Sequence, residues 1–172
     1  MLNSTQDAAT GTWTFTLPKQ KNTATFINTY GATTEVQLAA TKELKNKELE
    51  ARKYSFNIQQ TNNDSGFAES NPATILSGTG TLGTSATVKN GVEGGDAKDI
   101  IFPALQYKIT ELKKSDGTYA NDRTFHYIIS EENGTEGGVT YSKQKYYVDV
   151  KVTDNGDGTF YKVVKVCTET SV

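Results

Sequence analysis

Hydrophobic and polar positions alternate along most of this chain, and that alternation predicts strands. The expected strands are Gly11–Leu17, Ala24–Tyr30, Glu35–Leu44, Tyr54–Gln59, Ala86–Asn90, Asp99–Phe102, Thr124–Glu131, Lys145–Thr153 and Thr159–Val166. Lys145–Thr153 reads most cleanly, with Tyr146, Val148, Val150 and Val152 on one face and Tyr147, Asp149 and Lys151 on the other. The turn Asp154-Asn155-Gly156-Asp157-Gly158 follows, and its Asn-Gly and Asp-Gly steps favour a tight hairpin. Leu44–Lys53 and Leu105–Lys114 suit short helical turns, and Thr61–Gly83, rich in Asn, Ser, Thr and Gly, reads as a surface excursion. Many short strands separated by turn signals indicate an all-β sandwich.

Three polar residues break this pattern by falling on core-facing positions. Alternation places Lys42 with Val36, Leu38, Ala40 and Leu44, Glu131 with Phe125, Tyr127 and Ile129, and Asn28 between Phe26 and Tyr30. A buried charge is costly unless it is paired, so these inward groups invite one shared explanation. Plainer roles also fit each of them. Lys42 could snorkel from a strand edge, Glu131 could face solvent at a strand end beside Glu132, and Asn28 could be an ordinary hydrogen-bonding strand residue.

Composition narrows the function classes. The 172 residues give room for one or two domains and a sizeable core, with 35% hydrophobic and 22% charged residues. A net charge of −2 offers no basic excess for nucleic acid or an anionic membrane. No apolar run approaches a membrane span, and Met1-Leu2-Asn3-Ser4 lacks the features of a secretory signal, so any export signal or wall anchor is expected outside these residues. Cys167 is the single cysteine and cannot close an internal disulfide. Gly11–Tyr30 resembles terminal sandwich strands placed ahead of the main body. Residues 1–34 are therefore expected to be the last strands of a preceding repeat or a donor-strand segment, and 35–172 the sandwich domain itself.

Several short runs carry a family likeness. They are Thr41-Lys42-Glu43-Leu44 with Leu49, Tyr54-Ser55-Phe56-Asn57-Ile58, Ile101-Phe102-Pro103-Ala104-Leu105, Phe125 to Glu131, Gly138-Val139-Thr140-Tyr141, Tyr146 to Val152 and Asp157-Gly158-Thr159-Phe160. In this order they resemble the isopeptide-linkage domains of Gram-positive pilins, of the streptococcal major pilin (T-antigen) type, from about Val36 to Val166. The resemblance implies an immunoglobulin-like (Cna-B-like) sandwich with an extra N-terminal strand segment. It also implies a structural module of a bacterial surface pilus or adhesin, outside the cell and attached to the wall through other segments. In that family a strand lysine is joined to an asparagine on the final strand with help from a glutamate. Carried over by position, these are Lys42, Asn28 (in Phe26-x-Asn28-x-Tyr30) and Glu131.

One departure matters: the asparagine strand comes first here, not last. Parallel neighbours need a crossover of about a dozen residues, yet five separate Tyr30 from Val36. Either the strand serves a different domain copy, in the next chain or an upstream repeat, or the linker stretches and the strand order adapts; the first is the expectation, giving head-to-tail assembly through an open edge. An apolar interior would favour a neutral lysine amine and a protonated glutamate, which could polarise the asparagine carbonyl and shuttle a proton as ammonia leaves. This is single-turnover self-modification, so no enzyme activity and no cofactor are expected.

Other candidates are weaker. His126, the only histidine, falls opposite Phe125 and Tyr127 with no ligand cluster around it, so no metal site is expected. Asp154–Gly158 lacks the remaining spacing of a calcium loop. An alternative reading is a module binding a host glycan or matrix ligand through Trp13, Tyr119 and Thr61–Gly83. A hydrolase with paired carboxylates fits poorly, because Glu131 has no second inward carboxylate.

Overall fold

The computed structural model describes residues 3–6, 9–10, 13–16, 25–61, 66–67, 74–77, 80–92 and 95–168. Strands β1 (Asn3–Gln6) and β2 (Trp13–Thr16) form a hairpin of their own. The remaining strands are β3 (Thr33–Val36), β4 (Ala39–Thr41), β5 (Ser55–Gln60), β6 (Thr74–Ser77), β7 (Gly80–Gly83), β8 (Ser85–Lys89), β9 (Asp99–Ile101), β10 (Leu105–Lys108), β11 (Asp122–Glu131), β12 (Lys145–Asp154) and β13 (Phe160–Thr168). A single 3-10 turn, Ile109–Leu112, follows β10, and no helix among the described residues is long and apolar enough to cross a membrane.

Two layers enclose the core, as an immunoglobulin-like sandwich requires. One is the five-stranded antiparallel sheet β13-β12-β11-β5-β8. The other is built from β3-β10-β6-β7 and the short ladder β4-β9. These two ladders are one ribbon with a gap at Pro103, which has no N–H to donate; the Phe102 N–H still reaches the Leu38 carbonyl at 3.0 Å. Phe56, Ile58, Phe125, Tyr127, Val148, Val150 and Val152 face Leu38, Ile100, Phe102, Leu105 and Tyr107 across the sandwich. The layers also meet through paired hydroxyls, with Tyr107 Oη 2.9 Å from Tyr127 Oη and the Tyr107 ring 4.8 Å from that of Phe125.

Asn90, fully buried just after β8, ties two loops together. Its Oδ1 accepts the N–H groups of Lys53 and Tyr54 at 3.1 and 2.8 Å, and its Nδ2 donates to the carbonyls of Glu50 and Ala97 at 2.9 and 2.6 Å. Gly91 beside it has φ +72°, and a Cβ there would sit 2.6 Å from Ala51 Cβ, so both conformation and space require glycine.

Five sequence expectations need correction. Glu35–Leu44 is not one strand: it leaves one ladder after Val36 and enters another at Ala39, although Val36, Leu38, Ala40, Lys42 and Leu44 still all turn inward. Thr61–Gly83 is more than a surface excursion, since β6 and β7 extend the smaller sheet from β10. Leu44–Lys53 holds turns without helix, and Leu105–Lys114 divides into β10 and the 3-10 turn. Thr25–Tyr30 forms no strand, and Asn28 is exposed rather than inward. Among the described residues no strand pairs with this segment.

Candidate functional site

Lys42 follows the last residue of β4, and Glu131 ends β11, so each layer of the sandwich delivers one charged side chain to the same end of the core. Strand alternation aims both inward. Lys42 Nζ lies 2.7 Å from Glu131 Oε1, and their side chains are 10% and 3% exposed. The second carboxylate oxygen, Oε2, accepts the Ser142 N–H at 3.0 Å. The lysine ammonium also lies 4.9 Å from the centre of the buried Tyr54 ring, whose face attracts a cation.

A loop folds over this pair. Tyr141 packs against Tyr54 with ring centres 5.9 Å apart, and the Glu136 N–H donates to the Tyr141 hydroxyl at 3.2 Å. Glu136 is held by Lys53 at 3.1 Å and Lys47 at 3.4 Å. The Lys53 hydrogen bond, more than any other contact, keeps the Glu136 carboxyl below the usual carboxylate range. A Cβ at Gly134 would collide with the Tyr141 hydroxyl, so the loop can lie this close only with glycine there. Tyr54, Tyr141 and Ser142 were not singled out as site residues from the sequence. Their signal was weak, because their part comes from ring packing and a backbone N–H.

Asn28 does not join the pair. Tyr30, two residues on, donates its hydroxyl to Asp154 Oδ1 at 2.6 Å and accepts the Gly158 N–H at 2.9 Å. That turn lies at the opposite end of β12 from Lys145, which sits beside Glu131 in the sheet. Nine residue steps along β12 span roughly 30 Å. Asn28 is within about 7 Å of Tyr30 along the backbone, so it cannot reach Lys42 of its own chain while Tyr30 is docked.

The remaining candidates lie elsewhere. His126 sits on the outer face of the large sheet, with Nδ1 2.6 Å from Asp149 Oδ1. Cys167 is exposed, and no group of three or more His, Cys, Asp or Glu among the described residues could hold a metal ion. Trp13 and Tyr119 are both about half exposed.

Beside Lys42 and Glu131 an open groove runs along β4. One cavity of about 440 Å³ is lined by Ala40, Thr41, Lys42, Ile129, Glu131 and Tyr146. A second, of about 290 Å³ and mainly apolar, shares Ala40, Thr41, Ile129 and Tyr146 and continues past Leu38, Val148 and Val166. The site is thus a sheltered amine and carboxyl beside an open groove whose far part is mainly apolar. Residues 38–171 match the family model FctA, described as a Spy0128-like isopeptide containing domain. No curated protein and no solved structure matches the chain.

Proposed function

Because the chain belongs to the FctA family of Spy0128-like isopeptide containing domains, pilin-type structural domains that associate with other pilin subunits at a cell surface, we propose that it is a shaft module fastened by a self-made Lys–Asn amide. One observation carries this reading: Lys42 Nζ and Glu131 Oε1 stand 2.7 Å apart, nearly sealed from water, beside an open groove.

The chemistry follows from that geometry. Proton transfer from Nζ to the carboxylate yields a neutral amine and a carboxylic acid, with no net charge created in the apolar site. The amine then attacks an asparagine Cγ while the carboxylic acid donates a hydrogen bond to its carbonyl oxygen. The Cγ–Nδ2 bond breaks, Glu131 relays a proton, and ammonia departs. Strands that fix the reacting groups can lower the barrier by about 7–11 kcal/mol. The product amide is neutral, so the electrostatic cost of burying the ion pair disappears. The link forms once per molecule and does not turn over.

Such a bond ties strands that tension along a fibre would otherwise separate. Its chain-entropy contribution should match a disulfide closing a similar loop, about 2–4 kcal/mol. Copies would join head to tail, with wall attachment through segments outside these residues. Peptide mapping of the protein isolated in its assembled form tests the reading. Lys42 should be found joined to an asparagine with the loss of one ammonia, and Glu131→Gln should abolish the link. A Lys42 that is unmodified in every form would end this reading. The second reading, a module for a host glycan or matrix ligand, draws on the exposed Trp13 and Tyr119. Saturable binding on a ligand array, lost in Trp13→Ala, would favour it.

A further inference from the structure

We propose that Asn133 is a site of spontaneous self-modification, at which the Gly134 nitrogen closes on the Asn133 carboxamide, and that the product loosens the loop covering Lys42 and Glu131.

Three Asn-Gly steps occur in the chain, at Asn90-Gly91, Asn133-Gly134 and Asn155-Gly156. Glycine has no Cβ to keep its backbone nitrogen away from the preceding side chain, so the three steps have comparable intrinsic reactivity. The fold treats them differently. Asn90 is fully buried with its carboxamide engaged through both ends, and the Gly91 N–H donates to the Asp99 carbonyl at 2.7 Å. Asn155 is exposed, but its Nδ2 donates to Thr159 Oγ1 at 3.0 Å, and the Gly156 N–H donates to Asp154 Oδ1 at 3.0 Å. At both steps the attacking nitrogen and the carboxamide are each held.

At Asn133 neither is held. Asn133 and Gly134 are exposed, and among the described residues neither the carboxamide nor the Gly134 N–H has a hydrogen-bond partner. The flanking contacts are the Glu132 N–H on the Ser55 carbonyl at 2.9 Å and the Glu136 N–H on the Tyr141 hydroxyl at 3.2 Å. Ring closure between them breaks no hydrogen bond among the described residues. At Asn155 two bonds must open first, a difference of roughly ten- to hundredfold in rate.

The reaction balances with water as the co-reactant. Hydroxide from solvent removes the Gly134 N–H proton, and the nitrogen bonds to Asn133 Cγ. The Cγ–Nδ2 bond then breaks, and Nδ2 takes a proton from water and leaves as ammonia. Water next opens the five-membered imide. Cleavage between the Gly134 nitrogen and Cγ leaves aspartate. Cleavage between that nitrogen and the main-chain carbonyl carbon of residue 133 leaves isoaspartate, whose main chain runs through Cβ and Cγ and is one carbon longer.

That extra carbon falls where the loop has least room. A Cβ on Gly134 would already collide with the Tyr141 hydroxyl. Tyr141 packs on Tyr54, whose ring faces Lys42 Nζ, and the next residue, Ser142, gives its N–H to Glu131 Oε2. Either product also adds a carboxylate to a stretch that holds Glu131, Glu132 and Glu136. The longer, more acidic segment pushes Gly134 off Tyr141, and the cover lifts from the pair. None of this requires Lys42 to be cross-linked.

Peptide mapping of the full chain, incubated at mildly alkaline pH with and without urea, tests the proposal. Unfolded, the three steps should react at comparable rates. Folded, aspartate and isoaspartate should appear first at Asn133, roughly ten- to hundredfold faster than at Asn155 or Asn90. Asn133→Gln sits at an exposed position and would need a larger ring, so it should fold normally and stop the reaction. Amide exchange at Tyr141 and Ser142 should rise in the incubated protein and keep its starting rate in the Asn133→Gln chain treated identically. A folded chain that reacts first at Asn155 or Asn90, reacts equally at all three, or yields nothing at Asn133 overturns the site. Full conversion of Asn133 with exchange at Tyr141 and Ser142 unchanged overturns the loosening.

Discussion

Lys42 Nζ rests 2.7 Å from Glu131 Oε1 although 89 residues separate them, and each arrives from a different layer of the sandwich. Removing one member strands the other without a counter-charge. With linkage blocked by Asn28→Ala, Lys42→Ala should cost about 3–5 kcal/mol, the usual penalty for breaking a buried pair. Lys42→Met combined with Glu131→Gln should cost clearly less. Urea denaturation of the three proteins measures this, and a double variant weaker than the single would show that the pair is not electrostatically coupled.

The loop over the pair should loosen in acid. Lys53 depresses the Glu136 carboxyl, so the folded pKa lies below the unfolded one. The contribution is present above the ordinary carboxylate range and is lost as pH falls through the depressed folded value. Amide exchange in residues 132–144 should therefore rise selectively below that range, and Glu136→Gln should remove the pH dependence. Equal exchange at neutral and acidic pH in the unmodified chain would contradict this.

Asn90 fills four hydrogen-bonding roles in a fully buried place. Asn90→Ala should cost roughly 3 kcal/mol, because it leaves buried backbone groups such as the Tyr54 N–H unsatisfied. Asn90→Asp keeps the acceptor but sets an oxygen against the carbonyls of Glu50 and Ala97, so it should not rescue. Thermal and urea midpoints decide this, and a shift as small as that of a surface substitution would rule out the anchoring role.

Burial pushes the phenols of Tyr107 and Tyr127 well above the ordinary tyrosine range. A raised folded pKa keeps stability intact below the unfolded value and withdraws it as pH rises through the folded one. Ultraviolet titration should show these two staying neutral until the fold opens. Tyr127→Phe leaves the Tyr107 hydroxyl without its partner and should cost about 1–3 kcal/mol, while the double phenylalanine variant should recover part of the loss.

Much of this was legible in the chain. Alternation in Asp122–Glu131 and Lys145–Asp154 reports which side chains turn inward, because a strand has a fixed two-residue period whatever it pairs with. The same rule held for Val36 to Lys42 even where the chain changed ladders, since the extra residue at the gap lies on the Pro103 strand, where the buried set moves from Ile100 and Phe102 to Leu105 and Tyr107. The strands β6 and β7 were hidden, because Asn, Ser, Thr and Gly carry little apolar periodicity and their pairing is set by β10.

Sequence by itself determined the five strands of the large sheet, the inward aim of Lys42 and Glu131, and the likeness to a pilin-type isopeptide domain. Those features are local, written in side-chain period and short motifs. Tertiary structure alone decided that Lys42 and Glu131 meet and that Asn28 is held at the far end of the sheet. Such facts depend on which strands become neighbours, and a hydroxyl bond from Tyr30 to Asp154 across 124 residues leaves no mark on the pattern around either residue.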